Sequence, residues 1–164
     1  MEIEVKKLLE RLPKRSFLGK GINIEQGYLV DGIRLRKFGL EYFMTVKGPG
    51  DLCREEWEVS IPEWVFIQLW PKTKGRRIRK IRYHVPFNEF VIDIDKFLGD
   101  LKGLYFLECE FKRVEDVKKF KTPDWVGRNI DVTKNKEYSN RSLAMKGLPK
   151  KWKAKRRAKK PKKP

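Results

Sequence analysis

The sequence predicts a mainly β protein, a sandwich or barrel of short strands with a few helices. Three observations predict it. Charged and apolar residues alternate in one run after another, the period of a strand with two unlike faces. Turn signals rich in glycine separate those runs. Helical patterns are fewer and short.

Taken in order, strand-like runs occupy 2–6, 26–36, 41–47, 54–61, 78–85, 91–95, 105–113 and 130–133. Between them lie "LGKG" (18–21), "VDG" (30–32), "KGPGD" (47–51), "KTKG" (72–75) and "LGDLKG" (98–103), each a turn by composition. "IPEWVFIQLW" places Pro62 at a first helical position, with Trp64, Ile67 and Trp70 at three-residue spacing. "EDVKKF" (115–120) reads as a short helix, and "SNRSLAMKG" (139–147) as a terminal helix closed by Gly147. No solenoid-type repeat is present.

The chain has 164 residues, enough for one domain with a real core, and 40 Lys+Arg against 22 Asp+Glu give a net charge of +18. A field of that sign attracts polyanions: nucleic acid, phosphorylated substrates or an anionic membrane surface. The excess is uneven. "KKWKAKRRAKKPKKP" (150–164) carries ten of the basic residues and no acid, and removing those ten leaves +8 for residues 1–149. The reading is a domain over 1–149 and a mobile basic tail over 150–164, with Trp152 as an exposed aromatic able to stack on a base. Cys53 and Cys109 form no C-x-x-C pair or Cys/His cluster, so neither a disulfide framework nor a zinc site is expected. No apolar run approaches a membrane span, the N-terminus has no signal-peptide pattern, and a cytoplasmic monomer or homodimer is expected.

The charged alternation carries the chemistry. Glu2, Glu4 and Lys6 share one strand face; Arg34 and Arg36 flank Leu35; Thr45 and Lys47 flank Val46; Arg54, Glu56 and Glu58 share a face. Lys80 and Arg82 flank Ile81, Asp93 and Asp95 flank Ile94, and Glu108 and Glu110 flank Cys109. For any single strand, a wet outer face explains this. For the set it does not: the positions are almost purely charged, and acidic pairs stay apart from basic pairs along the chain. Carboxylates from separate strands suit a hard divalent cation such as Mg²⁺ or Mn²⁺, while Arg and Lys suit phosphate. Both halves together fit a metal-bound polyphosphate held in an interior.

The residues also resemble a known family. "EIEVK" (2–6) matches the E-x-E-x-K signature of the CYTH superfamily of triphosphate tunnel metalloenzymes. It is followed collinearly by "EQGYLV", "IRLR", "YFMTVKGPG", "REEWEV", "RKIRY", "IDIDKFLG", "LECEF", "PDWVG", "DVTKNKEYSN" and "SLA", so the likeness covers nearly all of 1–149. The resemblance implies an eight-stranded antiparallel β-barrel forming a charged tunnel. It implies metal ligation by Glu2, Glu4, Asp95, Glu108 and Glu110, and a triphosphate grip by Arg34, Arg36, Lys47, Lys80 and Arg82 with Arg54 beside them. Lys6 and Tyr28 would stand near the attacked phosphorus, Lys6 also binding substrate. Two motifs depart from the family: W-E-x-D stands as Ile92-Asp93-Ile94-Asp95, without the Trp, and E-V-T as Asp131-Val132-Thr133, about two residues further from Trp125, with shortened carboxylates at 93 and 131.

The expected activity is metal-dependent hydrolysis of a phosphoanhydride, inorganic triphosphate first and nucleoside triphosphates second. The alternatives are a class IV adenylyl cyclase and a non-catalytic binder of polyphosphate or RNA acting through the basic tail. His84 falls beside the basic pair on β-alternation and reads as incidental; Cys109 points away from its acidic neighbours and reads as a buried apolar residue. Trp57, Trp64 and Trp70 read as packing rather than as a stacking platform.

Overall fold

A computed structural model describes residues 3–30, 32–47 and 56–152, with Lys47 as main chain only. Glu2, Cys53, Arg54 and the basic segment 153–164 lie outside the described residues, as does the position of the Lys47 side chain. The strands are β1 (Ile3–Leu9), β2 (Gly21–Tyr28), β3 (Arg34–Phe38), β4 (Glu41–Lys47), β5 (Glu56–Ser60), β6 (Arg77–Phe87), β7 (Phe90–Phe97), β8 (Tyr105–Phe111) and β9 (Asn129–Asp131). They form one antiparallel sheet in the order β5-β4-β3-β2-β6-β7-β8-β1-β9. The expected mainly β architecture is present. The eight expected runs become nine strands, the run expected at 130–133 appearing as the short β9, and among the described residues hydrogen bonding does not close the sheet, whose edges are β5 and β9. The run read as one strand over 26–36 is two, separated by a turn in which the Leu29 amide donates to the Ile33 carbonyl at 2.9 Å.

Local chemistry sets the register. β3–β4 and β6–β7 are joined by the two-residue loops Gly39–Leu40 and Asn88–Glu89. Gly39 and Asn88 take the positive φ (61° and 53°) that tight hairpins demand at their first loop position. With register pinned, every second residue of each strand falls on a common face. On that face lie Glu4, Lys6 and Leu8 of β1, Gln26 and Tyr28 of β2, and Arg34 and Arg36 of β3. Thr45 of β4, Glu56 and Glu58 of β5, Lys80 and Arg82 of β6, Asp93 and Asp95 of β7, and Glu108 and Glu110 of β8 join them.

Both faces of the central strands are covered. The outer face buries Leu9, Tyr83, Ile92, Ile94 and Leu107 beneath Leu18, Val126, Phe120 and Trp125. The inner face carries a second apolar cluster at one end: Leu8, Tyr28, Ile78, Phe97 and Phe106, capped by Tyr138, Leu143 and Ala144. Leu143 and Ala144 come from α3 (Asn140–Lys146), which starts where the Ser139 hydroxyl accepts the Ser142 amide and ends at Gly147. Leu8 and Tyr28 join this one cluster although β1 and β2 are four places apart in the sheet, about 19 Å in a flat one. The inner face is therefore concave, with α3 plugging one end.

Two further helices, α1 (Glu63–Leu69) and α2 (Val114–Lys119), pack at the periphery, and Pro62 is the N-cap of α1 rather than its first helical residue. Trp70 packs as expected, stacked on Phe66 and under the Arg77 guanidinium. Trp57 and Trp64 do not pack: they are 57% and 63% exposed, because β5 is a sheet edge and Trp64 lies off the buried Phe66 face of α1. Trp152, expected to be exposed, is half-buried against the plug cluster. Within the described residues no helix is long and apolar enough to cross a membrane.

Leu143 is 2% exposed in the plug, so Leu143→Ala should lower the unfolding free energy by about 2–5 kcal/mol in urea denaturation.

Candidate active site

The concave face above the plug is a layer of paired charges. Arg82 stands at its centre. Its Nε and Nη2 donate to the two carboxylate oxygens of Asp95, each at 2.7 Å, and its Nη1 lies 2.7 Å from Asp93. Nη2 also reaches Glu108, and Lys80 pairs with Asp95. Lys6 Nζ lies 2.6 Å from the other oxygen of Glu108 and 4.6 Å from the centre of the Phe106 ring. All of these side chains are buried or nearly so, with Asp95 fully enclosed and Lys80 only 2% exposed. His84 continues the β6 row at the rim, its Nδ1 2.5 Å from Asp93.

A second cluster forms on β3, β4 and β5. Arg34 and Arg36 each donate through Nη2 to Glu58, at 2.9 and 2.8 Å, and Thr45 donates its hydroxyl to Glu58 at 2.7 Å. Arg34 also reaches Glu56 at 3.3 Å. Tyr28 lies between the clusters, its hydroxyl accepting from Gln26 at 2.9 Å.

Burial and partners together set the charge states. Burial works against the Lys6 ammonium, but the carboxylates of Glu108 and Glu4 outweigh it and hold the group above its ordinary pKa. Burial likewise works to raise Glu108, yet Lys6, Lys80 and Arg82 overcome it and hold the carboxyl well below the usual range. Lys80 goes the other way: burial, reinforced by the neighbouring Arg82 charge, lowers it despite Asp95 and Glu108. Burial raises Asp93 and the Tyr28 phenol, so Tyr28 keeps its proton at neutral pH. Cys109, facing outward, is pushed up to about 11 by burial and is an inert core thiol, as expected.

The structure thus brings Lys6, Tyr28, Arg34, Arg36, Lys80, Arg82, Asp95, Glu108, Glu4 and Glu110 to one concave face. Charges sorted by sign along the sequence are interleaved in space, because basic β6 lies beside acidic β7 and Arg82 reaches across it to Glu108 on β8. Asp95 and Glu108 accordingly face cations of the chain itself. Glu4 and Glu110 lie opposite one another in direct register on β1 and β8 and bring further carboxylate oxygens to the same face, Glu4 also acting on the Lys6 ammonium. Among the described residues no three Asp, Glu, His or Cys side chains converge in metal-holding geometry.

Sequence reasoning passed over Gln26 and the hydroxyl of Thr133 and named Thr45 on its strand face without a role; their even spacing from Tyr28, Asp131 and Lys47 was the available signal. It noted Asp93 and Glu58 without assigning them contacts. Asp131, one carbon shorter than the family residue, turns to its own main chain, accepting the Thr133 amide at 3.0 Å.

The architecture is a curved antiparallel sheet whose concave face carries buried, interleaved cations and carboxylates. The CYTH domain model matches residues 1–147, and the chain belongs to the CYTH family. It is 39% identical over 151 residues to an inorganic triphosphatase of Nitrosomonas europaea, covering 88% of this chain and 97% of the relative. An inorganic triphosphatase of Acetivibrio thermocellus is 34% identical over 132 residues, covering 77% and 82% of the two chains. The crystal structure of an inorganic triphosphatase aligns with a TM-score of 0.65 and 34% identity, covering 91% of this chain and 97% of that one. A Hippeastrum adenylyl cyclase-like protein shares the fold at 18% identity and a TM-score of 0.52, covering 73% of this chain and 83% of that one.

Glu108→Gln leaves Lys6 and Arg82 short of a buried partner and should cost on the order of 3–5 kcal/mol at neutral pH. Because the folded carboxyl is held low, its stabilisation is present above the ordinary carboxylate range and is lost as pH falls through the folded value. Urea titrations from pH 7 down to about 2 should therefore show a steeper acid decline in the wild type than in Glu108→Gln.

Proposed function

We propose that this protein hydrolyses a phosphoanhydride bond of inorganic triphosphate. One observation carries the reading: the buried cation set of Lys6, Lys80 and Arg82, facing Arg34 and Arg36 across a single concavity, in a chain whose curated relatives are named inorganic triphosphatases. Triphosphate carries several negative charges on a short chain, and a row of fixed cations on a rigid sheet matches that spacing better than surface lysines would.

Arg34 and Arg36 grip terminal phosphate oxygens, exchanging Glu58 for the substrate. Arg82 and Lys80, held by Asp95, present fixed charge to the middle of the chain. Lys6 keeps its charge because Glu108 and Glu4 favour the ammonium, so it stabilises developing negative charge at the attacked phosphorus and is no general base. Tyr28 stays protonated and offers its O–H to a phosphate oxygen or to the attacking water. Glu4 and Glu110, with Glu2 ahead of them in the sequence, would hold Mg²⁺ or Mn²⁺. A divalent cation held there would supply charge neutralisation for the phosphates.

The basic segment 153–164 is proposed as a tether for polyanions, with Trp152 fixing its root against the plug. Deleting residues 153–164 should abolish salt-sensitive binding of long-chain polyphosphate and leave triphosphate turnover unchanged.

Phosphate release from triphosphate, ATP, thiamine triphosphate and long-chain polyphosphate, each with Mg²⁺ and with Mn²⁺, tests the activity; cyclic AMP formed from ATP would replace it with the cyclase reading. Glu4→Ala and Lys6→Ala should each lower triphosphate turnover by at least about 10²-fold without unfolding the protein, and chelation by EDTA should abolish it. Full activity in both variants would sink the scheme.

A further inference from the structure

We infer that Thr133 is a positioning residue for Lys6, its hydroxyl replacing a missing rung of the ladder that fixes the main chain of β1 there. The inference rests on the hydrolytic reading for its kinetic consequence and on the main-chain geometry alone for its structural one.

The pairing of β1 with β9 runs through Leu9, Leu8 and Lys7, the last opposite Asp131. One position further, the Val132 amide still donates to the Lys6 carbonyl at 2.9 Å. An ordinary antiparallel rung would return a bond from the Lys6 amide to the Val132 carbonyl. That carbonyl is taken instead by the Asn135 amide at 2.9 Å, in the turn that carries the chain away from the sheet. The Asp131 carboxylate braces the same turn by accepting the Thr133 amide.

Lys6 is thus left with an amide whose natural partner has gone. The Thr133 hydroxyl fills the gap: Oγ1 accepts the Lys6 amide at 3.0 Å and sits 3.3 Å from the Lys6 carbonyl, to which it donates. The Lys6 main-chain groups both point to the β9 side, so β8 does not hold them although Lys6 lies opposite Glu108 in register. The turn after β9 is accordingly the anchor for the main chain that carries the Lys6 ammonium to Glu108. An error of about 0.5 Å in such a placement already matters for a site of this kind.

The shortened carboxylate at 131 gains a reason. The Asp131 carboxylate reaches forward to accept the amide two residues on, as in Asx turns, and so sets Thr133 under Lys6.

The test compares wild type, Thr133→Val and Thr133→Ser by triphosphate kinetics and by hydrogen exchange at the Lys6 amide. Thr133→Val keeps the shape and removes the hydroxyl. It should lower kcat about tenfold with KM nearly unchanged, the loss of about one hydrogen bond's worth of positioning, because the arginine grip is untouched. Thr133→Ser should restore kcat to within about threefold. Exchange at the Lys6 amide should accelerate about tenfold in Thr133→Val and stay slow in Thr133→Ser. A Thr133→Val enzyme with wild-type kcat, or a Lys6 amide unprotected in the wild type, overturns the inference; the second measurement needs no folded variant. A wild type that releases no phosphate from triphosphate defeats the hydrolytic reading, whereas Lys6 protection indifferent to Thr133→Val defeats the clamp, so the two failures are told apart.

Discussion

Arg82 and the three carboxylates around it hold the interior together. The guanidinium joins β6 to Asp95 and Asp93 on β7 and to Glu108 on β8, and Glu108 passes the connection to Lys6 on β1. Each of those ions would cost several kcal/mol to bury alone, and only mutual pairing offsets that. Removing any one member of the layer leaves its neighbours short of a partner and so costs stability. The layer's cations Lys6, Lys80 and Arg82 are the ones proposed to face a triphosphate.

A globular protein ordinarily fills its interior with apolar side chains, and this one does so on the other side of the sheet. Leu9, Ile92, Ile94 and Leu107 pack outward beneath Leu18 and Val126, so the central strands are buried from without. The inner face is then free to carry charge. It is not wholly so: the cluster around Phe97, Phe106 and Leu143 plugs one end and supplies the aromatic rings over which Lys6 and Lys80 lie. Those rings and the bordering carboxylates favour cations over water at the base of the concavity.

The two charge clusters differ in how firmly they are held. The Lys6–Glu108 and Arg82–Asp95 pairs are enclosed, whereas Glu58 and its arginines lie nearer the solvent. On the proposed function, a phosphate group entering at Arg34 and Arg36 would exchange for the Glu58 carboxylate they now hold. The enclosed pairs act as a fixed electrostatic floor, and the outer pairs as the part that yields.

The alternation of charged and apolar residues by itself determined that the strands are half-polar and that Glu4 with Lys6, Arg34 with Arg36, Lys80 with Arg82, Asp93 with Asp95 and Glu108 with Glu110 each share a face of their own strand, since a period of two leaves no other arrangement. It could not determine partners. Which carboxylate meets which cation depends on strand order, and strand order depends on turns and on the curl of the sheet, neither of which is periodic. That is why basic pairs expected to gather apart from acidic ones lie among them, why Asp95 holds Arg82 and Lys80, and why Trp57 ends exposed on an edge strand. The Thr133 hydroxyl beneath Lys6 belongs to the same class. It bonds across 127 positions of chain, and only the tertiary fold decides a contact at that separation.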